Sequence, residues 1–110
     1  MCKSNKDKLP IEITFESFQQ SKIDDACLID CRTAEEHEAG HLKGSVLFPL
    51  QHLSIRVDEL EEFRDHSIYI YCRSGNRSGT FARYLRTIGF LKCQSISGGF
   101  EAFGESQDPC

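Results

Sequence analysis

A chain of 110 residues with 39% hydrophobic and 27% charged side chains has the composition of one ordinary globular domain. Its formal net charge of −4 argues against nucleic-acid binding, which usually needs a basic surface. No apolar run has the length that crosses a bilayer, and residues 1–8 lack the apolar centre of a signal peptide. We therefore expect a cytoplasmic protein with neither a nucleic-acid nor a membrane partner.

Six cysteines are spread along the chain, at Cys2, Cys27, Cys31, Cys72, Cys93 and Cys110. The middle four lie in or beside apolar, strand-like runs rather than in turns, which disfavours a disulfide framework. No Cys-x-x-Cys pair occurs, which disfavours a zinc site. We expect reduced thiols, a reducing compartment and no bound metal.

Strand-like and helix-like segments alternate along the chain. The predicted strands cover residues 11–13, 26–29, 46–48, 68–71 and 93–96. The first predicted helix follows Thr14, and the second starts at the Thr33–Glu36 capping box and ends at Gly40. The others cover residues 55–64, with an apolar residue at every third position, and residues 78–88, stopped by Gly89. A short last helix is expected after Gly98-Gly99.

This alternation predicts an α/β fold, with a central, mainly parallel sheet and helices on both of its faces. The predicted domain covers residues 11–104. Residues 1–10 and 105–110 are expected to be flexible tails. In such sheets, ligands bind beyond the carboxyl ends of the strands, where the sequence places Cys72.

The most informative stretch is the strand, loop and helix around Cys72. A buried strand leads into this cysteine, five small, polar or basic residues follow, and a helical pattern begins near Ser78. This geometry turns backbone N–H groups inward and adds the positive end of a helix dipole. With Arg73 and Arg77 beside it, the Cys72 thiol should have a lowered pKa and form a thiolate nucleophile in an anion cradle. A merely structural cysteine would leave both arginines and Gly75 unexplained.

Four segments together resemble the single-domain rhodanese, or thiosulfate sulfurtransferase, family over about residues 11–104. They are Leu28-Ile29-Asp30-Cys31-Arg32, Glu35-Glu36-His37-Glu38-Ala39-Gly40-His41-Leu42-Lys43-Gly44-Ser45, Cys72-Arg73-Ser74-Gly75-Asn76-Arg77-Ser78, and Gly98-Gly99-Phe100-Glu101-Ala102-Phe103. In the last of these, Phe103 stands where the family usually has tryptophan.

The resemblance implies a three-layer, rhodanese-like domain, monomeric and free of cofactors, that works by a two-step sulfur transfer. Cys72 would take the sulfane sulfur of an anionic donor such as thiosulfate and pass it to cyanide, a thiol or a protein cysteine. Its loop, expected to open outward, would bind the substrate through Arg73, Ser74, Gly75, Asn76, Arg77 and Ser78. Asp30 and Arg32 are expected to be structural, with Arg32 paired to Glu35 or Glu36.

Two other functions compete with sulfur transfer. Cysteine phosphatases of the same fold need Cys-(x)5-Arg, whereas this chain has Cys-(x)4-Arg, with Ser78 in the phosphatase arginine position. The shorter loop is better sized for one added sulfur than for a phosphoryl group. Non-catalytic rhodanese-like binding modules usually lose the cysteine, which this chain retains.

Cys31 is a candidate resolving thiol for Cys72. Dual-specificity phosphatases that share this fold also have Ile-Asp-Cys-Arg, and that cysteine can trap the catalytic thiol as a protective disulfide. The alternative is that Cys31 fills space in the core where the family usually has valine. Peroxide treatment followed by peptide mapping distinguishes the two interpretations.

The segment from His37 to His41 spells His-Glu-x-x-His, a zinc protease signature. That motif needs both histidines on one face of a continuous helix. Because Gly40 is expected to end the helix, we expect His41 to point elsewhere and no metal to bind.

Overall fold

The computed structural model describes residues 9–21 and 26–100, which contain one five-stranded sheet. The strands are β1 (Glu12–Ile13), β2 (Cys27–Asp30), β3 (Val46–Leu47), β4 (Ile68–Tyr71) and β5 (Cys93–Ile96). Their order is β1-β5-β4-β2-β3, and every neighbouring pair is parallel. The predicted α/β class and parallel sheet are therefore confirmed, and β4 lies in the middle, where both its faces are covered.

The helices are α1 (Phe15–Ser21), α2 (Ala34–Ala39), α3 (Leu53–Arg56) and α4 (Asn76–Thr87). Side chains alternate along each strand, so the sheet divides the apolar core into two clusters. One cluster joins Ile70 and Cys72 to Phe81 of α4, and the other joins Tyr69 to Phe18 of α1. The three-layer arrangement follows from this division.

The helix predicted for residues 55–64 is α-helical only as far as Arg56. After α3, the segment Val57–Phe63 is a 3-10 helix, and another 3-10 helix covers Leu50–His52. A 3-10 helix has 3.0 residues per turn, so a strict spacing of three puts its apolar residues on one face. Leu60 is accordingly buried between two partly buried neighbours of that face, Val57 and Phe63. An α-helical face needs steps of three and four.

The other predicted helix ends agree closely with the structure. Thr33 and Glu36 form the capping box of α2, which ends at Ala39. Helix α4 starts two residues earlier than predicted, and Gly89 follows its end with a φ of 102°, in the left-handed region that glycine tolerates. The predicted tails and the continuation of a helix after Gly98-Gly99 lie largely outside the described residues.

Within residues 9–21 and 26–100, no helix has the length and apolar composition that a membrane span requires.

Candidate active site

The sulfur of Cys72 lies at the centre of the loop between β4 and α4. It accepts hydrogen bonds from the backbone N–H groups of Gly75 at 3.0 Å and Ser78 at 3.3 Å, and the Ser78 hydroxyl oxygen lies 3.5 Å away. The amino end of the 12-residue helix α4 adds the positive end of its dipole, and its first turn contains no acidic side chain. The loop is therefore built to hold a negative charge on sulfur.

Two glycines allow the backbone to wrap closely around this sulfur. Gly75 has a φ of 102°, which other residues adopt only at a cost, and its N–H group donates to Cys72. Gly99, at φ 66°, packs against the loop from outside: a β-carbon there would lie 2.6 Å from Ser74 N and closer still to the Arg73 carbonyl. The next residue, Phe100, donates its N–H to the Cys72 carbonyl at 2.7 Å.

Cys31 is the immediate neighbour of Cys72. Asp30 and Tyr71 are paired across β2 and β4, and Cys31 N–H donates to the Tyr71 carbonyl at 3.0 Å, so Cys31 and Cys72 are the next pair in register. Both side chains lie on the same face of the sheet, in the cluster that contains Ile29 and Ile70. The sequence could only suggest this contact as a hypothesis.

The pKa of Cys72 is lowered from its ordinary value of 9.0 to about 4. The largest cause is a hydrogen bond from the Cys31 thiol; burial opposes the shift, and the bonds from Ser78 and Gly75 add to it. The pKa of Cys31 is correspondingly raised by that hydrogen bond, by burial and by the nearby charge of Cys72. The lowered pKa agrees with the sequence prediction, and the Gly75 and Ser78 N–H groups are among its causes, but its largest cause is the Cys31 thiol, a cause that the sequence did not indicate.

Arg77 is held by an acidic partner on α2. Its guanidinium makes two hydrogen bonds to the Glu36 carboxylate, at 3.1 and 3.2 Å. This pairing lowers the pKa of Glu36 to about 2 and raises that of Arg77, to which the Cys72 charge contributes further. The positive charge of Arg77 thus interacts with the Cys72 sulfur, while both terminal nitrogens of Arg77 bind the Glu36 carboxylate.

The Arg32 pairing predicted from the sequence is wrong. The buried guanidinium pairs with Asp30 through Nε and Nη2, both at 2.8 Å, donates to the Gly40 carbonyl and stacks on the Phe100 ring at 4.4 Å. Burial by itself would raise the pKa of Asp30, but the hydrogen bonds from Arg32 and His37 outweigh it and lower that pKa. Asp30 and Arg32 are two residues apart at the end of β2, and their side chains form an ion pair. Glu36 pairs with Arg77 instead.

The expected direction of His41 is also wrong. Helix α2 does end before Gly40, yet the His41 ring stacks on His37, with centroids 3.7 Å apart and planes 11° apart. Stacked rings direct their in-plane nitrogens side by side rather than toward one point. His37 Nδ1 is in addition 2.8 Å from Asp30 Oδ2, and the described residues contain no cluster of three or more metal-ligating side chains.

The exposed parts of the loop border a small cavity. Cys72 itself is 0% exposed, so the outward-open loop mouth expected from the sequence is wrong, and Arg73, Ser74 and Asn76 form the outer surface. A cavity of about 290 Å³ lies beside the loop. Its walls are formed by Arg32, Glu36, Ala39, Gly40, Arg73 and Phe100. The charged groups of these walls are the Arg73 side chain, the Asp30-paired Arg32 and the Glu36 carboxylate.

Comparison with known proteins identifies the family. The sequence model of the rhodanese-like domain matches residues 14–106. The chain belongs to the rhodanese-like domain family. It is 38% identical over 97 residues to the putative sulfur carrier protein YrkF of Bacillus subtilis, a match that covers 86% of this chain and 51% of YrkF. It is 35% identical over 94 residues to a sulfurtransferase of Allochromatium vinosum, covering 84% and 86% of the two chains.

Solved structures agree with this assignment. Reduced Bacillus anthracis CoADR-RHD has a TM-score of 0.79 and 29% identity, with 90% of this chain and 18% of that chain covered. A rhodanese-related protein from Thermoplasma volcanium has a TM-score of 0.78 and 25% identity, with 91% and 96% covered. This rhodanese-like domain spans about half the length of YrkF, so relatives differ in what accompanies the domain.

Ser95 belongs to the site but was missed by the sequence analysis. Its fully buried hydroxyl lies 2.7 Å from the Ser78 hydroxyl, which in turn contacts Cys72. Ser95 pairs with Ile70 in the register of β5 and β4, which places it under the loop. The available signal was a polar pair, Gln94-Ser95, inside a strand whose every residue is buried.

Proposed function

We propose that this rhodanese-like domain is a sulfurtransferase that carries sulfane sulfur as a persulfide on Cys72. The observation that carries the proposal is the Cys72 sulfur, with its pKa lowered to about 4 and with two backbone N–H groups directed at it. At neutral pH such a thiol is a thiolate, which is the nucleophilic form. Similarity to the putative sulfur carrier protein YrkF and to a sulfurtransferase of Allochromatium vinosum supports this chemistry.

In the first step the Cys72 thiolate attacks the outer sulfur of thiosulfate. A sulfur–sulfur bond forms to Cys72, the bond to the sulfonate sulfur breaks, and sulfite leaves with the electron pair. The negative charge then lies on the persulfide. The N–H groups of Gly75 and Ser78 are directed at the inner sulfur, Sγ of Cys72, and so favour negative charge on this end of the persulfide.

In the second step a nucleophile attacks the outer sulfur of the persulfide, and the Cys72 thiolate leaves. The low pKa makes Cys72 a good leaving group, because the charge returned to it is already stabilised. Cyanide, a thiol and a protein cysteine all meet the chemical requirement. One difficult transfer is thereby divided into two easier ones.

A small anionic donor would enter through the cavity beside Arg73. The Arg73 side chain is exposed on the outer loop and lines this cavity, and both terminal nitrogens of Arg77 bind the Glu36 carboxylate. Arg77 would therefore act as a fixed positive charge behind the sulfur rather than as a clamp on the donor. Because Cys72 is fully buried, donor entry requires the loop residues above it to shift.

The same contacts weigh against a phosphatase. Phosphate transfer at a cysteine needs an arginine guanidinium that binds the phosphate dianion through two N–H groups. The Arg77 guanidinium binds the Glu36 carboxylate instead. Ser78 holds the phosphatase arginine position, and it is buried against Ser95. A Cys72 persulfide needs neither group to change partner.

The test is a steady-state assay of thiocyanate formation from thiosulfate and cyanide, with an aryl phosphate as alternative substrate. Wild type should give parallel double-reciprocal lines, the mark of a two-step mechanism, and Cys72→Ser should be inactive. Cys27→Ser is the matched control, because it alters another buried cysteine of the same sheet face. Turnover of the aryl phosphate without thiocyanate formation would contradict the proposal.

A further inference from the structure

The position of Cys31 suggests a second fate for the persulfide, one that rests on the proposed function. Cys31 follows β2 as Cys72 follows β4, and the two are neighbours in register on one sheet face. Neighbouring strands lie about 4.8 Å apart, within the Cα separation of about 4.4–6.8 Å that a disulfide requires. The two sulfurs can therefore be joined with little backbone movement.

We infer that Cys31 resolves the Cys72 persulfide and releases its sulfane sulfur as sulfide, so that this domain also reduces thiosulfate to sulfite and sulfide. The Cys31 sulfur attacks the inner sulfur, Sγ of Cys72. A Cys31–Cys72 disulfide forms, the bond to the outer sulfur breaks, and that sulfur leaves as hydrosulfide with the proton of the Cys31 thiol. The two cysteine sulfurs lose two electrons, and the sulfane sulfur gains them.

The surroundings favour attack by Cys31 over attack by a thiol from solution. Cys72 is 0% and Cys31 1% exposed, so an external thiol must displace the loop whereas Cys31 is already inside. Cys31 and Cys72 are next to each other in register on one face of the sheet, so the Cys31 side chain lies beside the Cys72 sulfur. Cys31 belongs to the chain after β2, whereas the Gly75 and Ser78 amides belong to the loop and the first turn of α4.

The raised pKa of Cys31 sets the order of events. With Cys72 as a thiolate, Cys31 stays protonated and cannot compete for the donor. Once the persulfide forms, the charge lies on the outer sulfur, and transfer of the Cys31 proton to that sulfur makes Cys31 a thiolate and the outer sulfur a hydrosulfide leaving group. Continuous turnover then needs a dithiol reductant to reopen the disulfide, and such a dithiol is the co-reactant this activity uses.

Other cysteines of the same sheet face are not placed for this reaction. Cys27 lies one full strand length before Cys31, and Cys93 pairs in register with Ile68 at the far end of β4. Cys93 donates instead to the Ala82 carbonyl at 3.3 Å. Cys27 is thus a matched control: it is the same residue type on the same sheet face as Cys31, but it lies at the opposite end of β2, distant from Cys72.

The experiment adds thiosulfate to the full chain without oxygen or reductant and follows sulfite, sulfide and intact mass together. Wild type and Cys27→Ser should release sulfite, then sulfide, and end as a disulfide that peptide mapping assigns to Cys31 and Cys72. Cys31→Ser keeps a hydroxyl donor toward Cys72, so it should release sulfite but retain the sulfane sulfur. Its sulfide release should be slower by about 100-fold, since a neighbouring group has a very high effective concentration.

Each other outcome has a defined meaning. Equal sulfide release from wild type and Cys31→Ser, or a stable persulfide in both, would overturn the role of Cys31 while leaving the sulfurtransferase proposal intact. Absence of sulfite from every variant would overturn both proposals. If Cys31→Ser does not fold, the wild-type disulfide map decides by itself, because a persulfide without a Cys31–Cys72 disulfide contradicts the inference.

Discussion

At the residue scale, the chemistry depends on one sulfur and the donors around it. Cys72 is surrounded by Gly75, Ser78 and Cys31, which all place hydrogens toward it. A buried thiol in apolar surroundings has a raised pKa, as Cys93 does. The contrast between two buried cysteines on neighbouring strands shows that directed donors, rather than burial, produce the reactive thiol.

The first prediction concerns the titration of Cys72. The ultraviolet absorbance of the thiolate, measured as the difference between wild type and Cys72→Ser, should show a midpoint near pH 4. Cys31→Ala removes the donor that contributes most, so its midpoint should move toward the ordinary value of 9.0. A midpoint that is the same in wild type and Cys31→Ala would contradict the assigned cause.

The same ionisation should stabilise the fold in a pH-dependent way. The unfolded chain holds the Cys72 proton up to about pH 9, whereas the folded chain releases it near pH 4. Between these values the unfolded state binds more protons, so the free energy of unfolding should rise with pH relative to Cys72→Ser. This contribution is complete above the unfolded pKa and disappears as pH falls through the folded one.

At the element scale, the loop is shaped by contacts from outside it. Helix α2 supplies Glu36 to Arg77, and the turn after β5 places Gly99 against the loop backbone. Neither contact follows from the loop sequence alone. Both explain why the site needs segments that are distant along the chain.

Replacing Gly99 by alanine should disrupt the loop. Its β-carbon would overlap the backbone of Arg73 and Ser74, neither of which can move as a flexible side chain could. Gly44 has a similar φ of 85°, but a β-carbon there meets nothing within 4 Å. Gly44→Ala should thus cost about 1–2 kcal/mol from its backbone conformation alone. Gly99→Ala should cost more in urea unfolding and should lose sulfur transfer, and equal costs would contradict the steric account.

Glu36→Gln tests the link between α2 and the loop. Glutamine preserves the capping box with Thr33 but removes the charge that pairs with Arg77. The folded-state pKa of Glu36 is about 2, below its ordinary value of 4.5. The extra stability of wild type should therefore be constant above about pH 4.5 and disappear toward pH 2. The exposed Glu35→Gln is the matched control, and a pH-independent difference for Glu36→Gln would contradict the pairing.

At the scale of the whole molecule, the fold could be predicted because its signals are local. Period-two burial, β-branched runs and capping residues identify strands and helix ends, and alternation of the two types implies a parallel sheet. The segment Val57–Phe63 is a 3-10 helix rather than the predicted α-helix because its apolar residues recur strictly at every third position. The position of Cys72 at the carboxyl end of the central strand followed from the same local pattern.

The partners of the site residues could not be predicted, because they depend on strand order and register. Only the β2–β4 pairing places Cys31 against Cys72, and only β5 beside β4 places Ser95 under Ser78. Arg32 and Arg77 each had several acidic residues within reach along the sequence. Arg32 pairs with Asp30 and Arg77 with Glu36 because of the way α2 packs against the loop.

The central claim is that Cys72 accepts a sulfane sulfur, and intact mass after brief incubation with thiosulfate at pH 5 tests it most directly. At this pH the Cys72 thiolate persists and most other thiols are protonated. We expect the wild-type protein to release sulfite and to show the mass of one added sulfur, or of the Cys31–Cys72 disulfide formed from it. Cys72→Ser should show neither change. An unchanged wild-type mass without sulfite release, in a protein shown to be folded, would contradict the account.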